Sequence, residues 1–238
     1  MRKVILIQAG KTAWDEYDKN DDEPPLPEDE RRLQGTVPLP LSENGKKALQ
    51  DIARIVRLER AEILYSSGNE SSGPTAVLLA ELCQLRNKKM PDLRELDCGL
   101  WQGLRVREIK QRYGKTYRQW RQDPNTICPP QGEMLETARE RVSFSLAAIR
   151  KKQKGKIVVI VAAPIVSALI ECVLMNKNIS NLWSLHDKNN MVGIFNLQEN
   201  NDYCLCEKPS QKKIEKTTSP LISIPVENKT IQKLRLNT

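Results

Sequence analysis

The chain has 238 residues, of which 39% are hydrophobic and 29% charged, and its formal net charge is +8 at pH 7. This length and composition are typical of one globular domain with or without a tail. They exclude a small disulfide scaffold, and because no apolar run reaches the length of a bilayer span, we expect a cytoplasmic protein with no membrane contact.

The first half of the chain alternates apolar runs with amphipathic segments. Val4–Gln8 predicts a buried strand, and the acidic, proline-containing residues 15–31 predict a loop. Ser42 is a suitable N-cap for a first helix, "AEILYSS" predicts a second strand, and the segment 72–85 predicts a second helix with proline in its first turn.

The second half continues the alternation and closes the domain. It predicts, in chain order, an extended segment at 88–96, two basic helical pieces within 105–121, a helix from Glu133 to about Lys152, the strand "KIVVIVAA", a helix from Pro164, and strands at about 191–198 and 202–206. Alternating strands and helices predict a layered α/β domain with a mostly parallel sheet. In such sheets, sites form beyond the carboxyl ends of the strands.

Cysteine and histidine content bears on metal and redox chemistry. The six cysteines are spread along the chain without a CxxC pair, and the chain has one histidine. This pattern predicts reduced thiols, no metal site and no cofactor.

Charge is concentrated in blocks. Residues 15–30 hold nine acids and one base, whereas residues 105–121 hold one acid and seven bases. We expect the acidic loop and the basic segment to pair. Aromatic residues interleave with the bases, so the segment is also a possible nucleic-acid surface. The bases are Arg105, Arg107, Lys110, Arg112, Lys115, Arg118 and Arg121.

The composition changes after residue 206. Residues 207–238 are rich in Lys, Ser, Thr and Pro, with seven bases and three acids. We expect this stretch to be an extended or disordered basic tail. Within it, "PLISIPV" alternates apolar and polar residues and is suited to adding a strand to a partner or to the chain's own domain.

Sequence blocks follow one another in a characteristic order. They are Gln8-Ala9-Gly10-Lys11-Thr12 with Trp14; Arg32-Leu33-Gln34-Gly35 with Pro40-Leu41-Ser42 and Gly45; Ser66-Ser67 with Thr75-Ala76; Leu93, Glu95, Gly99, Trp101 and Gly103; Pro129-Pro130 with Gly132-Glu133; and "VIVAAP" ending at Pro164. In these blocks the chain resembles the histidine phosphatase superfamily, the phosphoglycerate mutase-like group, over residues 3 to about 206. The resemblance implies a three-layer α/β/α sandwich, a domain spanning 1–206 and a cap insertion at about 100–132.

The resemblance also shows which reactive groups of the family are missing. The family's nucleophilic histidine falls on Ala9, its phosphate-binding arginines on Gln8 and Ser71, and its second histidine on Ala163. The possible proton donor Glu95 is retained, together with Gly10 and Thr12. Because an alanine methyl is no nucleophile and phosphoryl transfer needs positioned cations, we predict a pseudophosphatase that acts as a scaffold, subunit or regulatory binding protein.

Two other functions stay open. The first is a residual or altered enzyme, or a ligand-binding protein, that uses the old cavity around Glu95. The second, weaker one is a nucleic-acid-associated basic protein. We expect Lys11 to be a surface lysine, His186 a surface-loop histidine and Cys98 a packing residue, so none of them replaces a lost group. A protein partner is expected through the charged faces or the tail.

Overall fold

A computed structural model describes residues 1–15, 27–68, 71–188 and 191–197. The strands are β1 (Lys3–Gln8), β2 (Ile63–Ser66), β3 (Asn87–Lys89), β4 (Ile157–Ala162) and β5 (Val192–Asn196). The helices are α1 (Glu43–Leu58), α2 (Gly73–Cys83), α3 (Val106–Gln122), α4 (Leu135–Lys152), α5 (Pro164–Leu174) and α6 (Leu182–His186). Short 3₁₀ turns lie at Glu28–Glu30, Pro91–Leu93, Gly99–Trp101 and Ile179–Asn181.

The five strands form one sheet in the order β3-β2-β4-β1-β5. All the pairings are parallel except that of β5, which runs antiparallel to β1. β4 lies at the centre with every residue buried, as its continuous apolar run predicts. The predicted α/β class with a mostly parallel sheet is therefore confirmed.

Side chains of successive strand residues alternate between the two faces of the sheet. Ile5, Ile7 and Val159 pack on one face with α1 and α2. Val4 and Ile160 pack on the other face with α4, α5 and the segment around α3. Two hydrophobic cores therefore separate three layers, which is the predicted α/β/α sandwich.

Several local predictions are confirmed and others need adjustment. Ser42 caps α1, its hydroxyl accepting the amide of Gly45 at 3.0 Å. The extended segment predicted at 88–96 includes the turn Pro91–Leu93. The two predicted basic pieces are the two halves of α3, which meet at a kink where the backbone of Tyr113 is non-helical (φ −132°, ψ 29°).

Some predictions lie outside the described residues. These are most of the acidic loop, the strand at 202–206 and the basic tail at 207–238. Within the described ranges, no helix combines the length and apolar character needed to cross a membrane.

Candidate active site

The family positions meet at the carboxyl ends of β1 and β4. Gln8, the last residue of β1, pairs in register with Ala162, the last residue of β4. The amide of Ala9 donates to the carbonyl of Ala162 at 2.8 Å, so Ala9 and Ala163, onto which the resemblance carries the two family histidines, follow neighbouring strand ends. The sheet thus brings them together as the resemblance implies, with methyl groups in place of imidazoles.

The loop after β1 is tied to the helices beside it. The Gly10 amide donates to the Thr75 hydroxyl at 2.9 Å, which joins this loop to α2. Thr12 is buried, and both its amide and its hydroxyl donate to Asp15 Oδ2 at 2.8 Å. Lys11 is exposed, as expected. Gly10 and Thr12 therefore shape the loop and attach it to the domain.

Serine hydroxyls cluster around Ser71, the position onto which the resemblance carries a family arginine. Ser71 is 5% exposed, and its hydroxyl has no hydrogen-bond partner among the described residues. The hydroxyls of Ser67 and Ser72 lie 2.8 Å apart in a buried pair. These side chains, between the end of β2 and the start of α2, are polar but uncharged, so they supply no counter-charge for a phosphate.

Glu95 is the buried carboxyl group of the site, with 3% of its surface exposed. Its Oε2 accepts the amide of Ile165 at 2.9 Å, and its Oε1 accepts the amides of Val166 at 3.0 Å and Leu96 at 2.7 Å. Ile165 and Val166 are in the first turn of α5, directly after Ala163. The Glu95 carboxyl therefore satisfies two amides at this helix end that have no partner within the helix.

Burial sets the protonation of Glu95. Loss of solvation raises its pKa above the ordinary value, although the backbone amides of Leu96, Ile165 and Val166, and then the charge of His186, act in the opposite direction. A carboxyl with a raised pKa holds its proton to higher pH. In its protonated form the Glu95 carboxyl carries no negative charge to repel a phosphate group.

An ion-paired network supports the backbone of Glu95. Arg141 donates to Glu133 through Nε and Nη2, each at 2.7 Å. The same guanidinium donates to the carbonyls of Asp92, Arg94 and Glu95. Through Arg141, Glu133 of the Gly132-Glu133 block thus helps to hold the backbone segment that carries Glu95 in place.

The predicted pairing of the acidic loop with the basic segment is present in the part that the structure describes. Glu30 lies 3.1 Å from Arg105 and 2.5 Å from Arg107, and Asp29 lies 2.6 Å from Lys110. These contacts join the turn at Glu28–Glu30 to the N-terminal half of α3.

The aromatic residues of α3 pack inward. Tyr117 and Trp120 are buried, and their ring centroids lie 5.8 Å and 5.3 Å from that of Trp101. Burial raises the pKa of Tyr117 to about 12. These two rings are therefore part of the core and do not offer a surface on which bases stack.

The lone histidine is not where sequence reasoning placed it. His186 is the last residue of α6, with 28% of its side chain exposed, and its ring centroid lies 5.6 Å from that of Trp183. Its charge lowers the pKa of Glu95, by less than the backbone amides of Leu96, Ile165 and Val166 do. A five-residue helix without strong periodicity gave no sequence signal for this position.

Cys98 is buried, as expected of a packing residue, and its thiol pKa is raised well above the ordinary value by burial. No group of three His, Cys, Asp or Glu side chains within the described ranges is arranged to hold a metal ion.

With this geometry in view, residues 4–206 match the sequence model of the histidine phosphatase superfamily (branch 1), and the chain belongs to that family. It is similar to phosphoserine phosphatase 1 of Hydrogenobacter thermophilus, with 27% identity over 86% of this chain and 91% of the relative. It is also similar to the metal-independent phosphoserine phosphatase of Arabidopsis thaliana, with 28% identity over 67% of this chain and 63% of that relative.

Solved structures share the fold. Bacillus stearothermophilus YhfR superposes with a TM-score of 0.69 at 21% identity, covering 83% of this chain and 92% of its own. The alpha-ribazole phosphatase from Shigella flexneri superposes with a TM-score of 0.66 at 20% identity, covering 87% of this chain and all of its own. At these identities the likeness shows the fold alone.

These comparisons correct the interpretation of the chain as a catalytically inactive scaffold. The two relatives described above are named as phosphatases, and nothing observed in this chain shows a loss of activity. The alternative, an altered enzyme or ligand-binding protein that uses the cavity around Glu95, agrees better with these relatives. The residues carried over from the family motif remain predictions.

Proposed function

We propose that this chain is an altered enzyme of the histidine phosphatase superfamily. It binds a small phosphomonoester beyond the carboxyl ends of β1 and β4 and hydrolyses it with Glu95 as proton donor and water as nucleophile. The observation behind this proposal is the placement of Glu95, a buried carboxyl with a raised pKa, against the first turn of α5 beside Ala163.

The chemistry follows from the groups that are present. The oxygen of water forms the new bond to phosphorus and a proton of that water passes to solvent. The bond from phosphorus to the alcohol oxygen breaks, and Glu95 donates its proton to that departing oxygen and regains one from solvent. Oε2 of Glu95 accepts one described hydrogen bond, from Ile165, and so retains a lone pair for the proton that it transfers. Alanine at positions 9 and 163 rules out a phosphohistidine at those positions, because a methyl group cannot take a phosphoryl group.

The same substitutions make the reaction slow. Without the two family arginines, phosphate loses charge-assisted hydrogen bonds worth about 1.5–3 kcal/mol each. Removing a catalytic nucleophile from an enzyme lowers kcat by up to about 10⁶-fold. We therefore expect weak substrate binding and turnover far below that of a histidine-dependent phosphatase.

Release of inorganic phosphate from O-phosphoserine tests this proposal, since two of the relatives are named phosphoserine phosphatases. We expect slow turnover by the native chain and a loss of about 10²-fold or more in Glu95→Gln. Glu171→Gln is the matched control, because Glu171 is a partly buried carboxyl on α5 whose pKa burial also raises. All three proteins are purified identically, so equal phosphate release from all of them would indicate a contaminant and overturn the proposal.

The binding partner and the cellular location of the protein are proposed separately from its enzymatic function. A protein partner would contact the charged faces or the tail, and a nucleic-acid partner is less favoured because Tyr117 and Trp120 are buried. The cysteines Cys83, Cys98, Cys128 and Cys172 are free thiols, which supports a reducing compartment such as the cytoplasm.

A further inference from the structure

The end of the sheet opposite the candidate active site is where three parallel strands begin. The starts of β1 and β4 are joined by the backbone, since the amide of Arg2 donates to the carbonyl of Lys156 at 2.7 Å. β2 begins beside β4, because the amide of Glu62 donates to the carbonyl of Ile157 at 3.0 Å. The residues that lead into these three strands therefore lie close together.

Six exposed basic residues surround these contacts, and we call them the basic end. Arg60 precedes Glu62 by two residues, and the lysines occupy the last turn of α4 and the short turn that joins it to β4. The six residues are Arg2, Arg60, Lys151, Lys152, Lys154 and Lys156. Their positive charges therefore share one end of the domain.

The acids among these bases are already engaged. Glu59 forms an ion pair with Lys3, and Glu62 lies 3.7 Å from Lys156. Basic residues in the last turn of a helix also interact favourably with the helix dipole, which accounts for part of the charge on α4. That effect does not account for Arg2 or Lys154, which lie outside any helix. The basic end therefore keeps an excess of positive charge.

An apolar side chain projects from the same end. Leu58 is the last residue of α1 and precedes Arg60 by two residues. Its exposure of 82% is the highest among the large hydrophobic residues that the structure describes. One exposed leucine alone is ordinary. Beside a group of bases it completes the two elements of a peripheral membrane contact, which are charge for acidic headgroups and an apolar group for the interface.

A nucleic acid fits this surface less well. Proteins that bind single strands add exposed aromatic rings to a basic groove. Within the described ranges no tyrosine or tryptophan is exposed, and the exposed Phe144 lies about two helical turns of α4 away from Lys151. The basic end therefore favours a lipid surface.

The chain also leaves the described domain at the basic end. Leu197 follows β5, and its amide donates to the carbonyl of Arg2 at 2.9 Å. The sequence beyond it includes residues 207–238, with seven bases and three acids. Further positive charge is therefore connected to the same end of the domain.

We propose that the basic end binds the surface of an anionic lipid bilayer, with Leu58 entering the headgroup region. The sequence-based expectation of no membrane contact considered only a spanning apolar run, which a peripheral contact does not need. In this orientation the carboxyl end of β4 points away from the bilayer, about 20 Å from its start at about 3.3 Å per residue. The candidate active site therefore stays open to water.

The experiment is co-sedimentation of the full chain with vesicles. One set contains phosphatidylcholine alone, and the other contains phosphatidylcholine and phosphatidylserine in equal parts. We expect binding to the second set only, and weaker binding as salt rises, because mobile ions screen the charges.

A double variant tests the assigned residues. Lys152→Gln with Lys154→Gln should weaken binding about 25-fold, since each basic residue near an anionic surface contributes about 5-fold. The matched control is Arg112→Gln with Lys115→Gln, which removes the same charge from exposed positions of α3. The control should bind as the native chain does.

A spectroscopic readout tests the position of Leu58. The emission of Leu58→Trp should shift to shorter wavelength when vesicles containing phosphatidylserine are added, because the indole enters a less polar region. Val77→Trp, at a position of α2 that is 52% exposed, is the control and should not shift. An unchanged emission of Leu58→Trp in the presence of bound vesicles overturns the proposed orientation.

The other outcomes are equally decisive. Absence of binding to anionic vesicles, or equal weakening in the two double variants, overturns the proposal. Tighter binding to an RNA oligonucleotide than to vesicles, lost in the Lys152 and Lys154 double variant, assigns the basic end to nucleic acid and also overturns it. None of these measurements involves phosphate release, so this proposal and the proposed function stand or fall separately.

Discussion

Arg141 and Glu133 form a two-point ion pair in which 9% and 8% of the side chains are exposed. The guanidinium also donates to three carbonyls of the segment 92–95, so the pair fastens the chain that carries Glu95 to α4. In such a pair each buried charge is compensated by the other, and the loss of one partner leaves the remaining charge buried without compensation.

Arg141→Gln should therefore lower the free energy of unfolding by about 3–5 kcal/mol, as measured by urea denaturation. The matched control is Arg139→Gln on the same helix, whose pair with Glu136 has 44% and 50% of the two side chains exposed. That control should change stability by less than about 0.5 kcal/mol. Equal effects in the two variants would contradict the role assigned to Arg141.

We expect high salt to weaken the attachment of the turn at Glu28–Glu30 to α3. Its pairs with Arg105, Arg107 and Lys110 are partly exposed, and mobile ions screen such pairs over about 10 Å at 0.1 M salt. We expect proteolysis within residues 105–121 to increase at high salt. Glu30→Gln should increase it at low salt, whereas Glu43→Gln, which loses only a pair with Lys46 on α1, should not. A cleavage rate independent of salt would count against attachment of this turn to α3 by ion pairs.

The raised pKa of Glu95 predicts a dependence of stability on pH. A carboxyl whose pKa is higher in the folded state favours folding below its ordinary pKa, and this contribution is lost as pH rises through the folded pKa. The free energy of unfolding, measured between pH 4 and pH 8, should therefore decline as pH rises. The decline should be smaller in Glu95→Gln than in the native chain. His186 and the Cys98 thiol are titratable groups that interact electrostatically with Glu95.

Glu140→Gln, at an exposed position of α4, controls for this measurement and should leave the pH dependence unchanged. If the free energy of unfolding changes with pH in the same way in Glu95→Gln and in the native chain, the pKa of Glu95 does not differ between the folded and unfolded states.

Gly99 and Gly114 should respond oppositely to alanine. Gly99 has φ +49°, and a Cβ there would lie 2.2 Å from the carbonyl oxygen of Pro130. Gly99→Ala should destabilise the domain by about 2 kcal/mol or more, because both backbone and neighbour must move. Gly114 in α3 has no atom within 4 Å of such a Cβ, so Gly114→Ala should stabilise by about 0.5–1 kcal/mol. Thermal unfolding of the two variants checks the contrast.

The sequence by itself determined the layered fold and the identity of the candidate positions. Apolar runs such as Val4–Gln8 and "KIVVIVAA" are local signals, because a strand buried on both faces is almost entirely apolar. The glycine-containing blocks likewise identify Ala9, Glu95 and Ala163 as neighbours through resemblance. What those alanines imply for activity did not follow, and the named relatives reversed that interpretation.

Only the tertiary structure decided where the remaining chemistry lies. The antiparallel return of β5 brings Met191 beside Gln8, and the first turn of α5 holds the Glu95 carboxyl. These relationships join residues far apart in the chain, and no local periodicity encodes them. The inward packing of Tyr117 and Trp120 is of the same kind, since burial depends on what the rest of the fold places against a helix face.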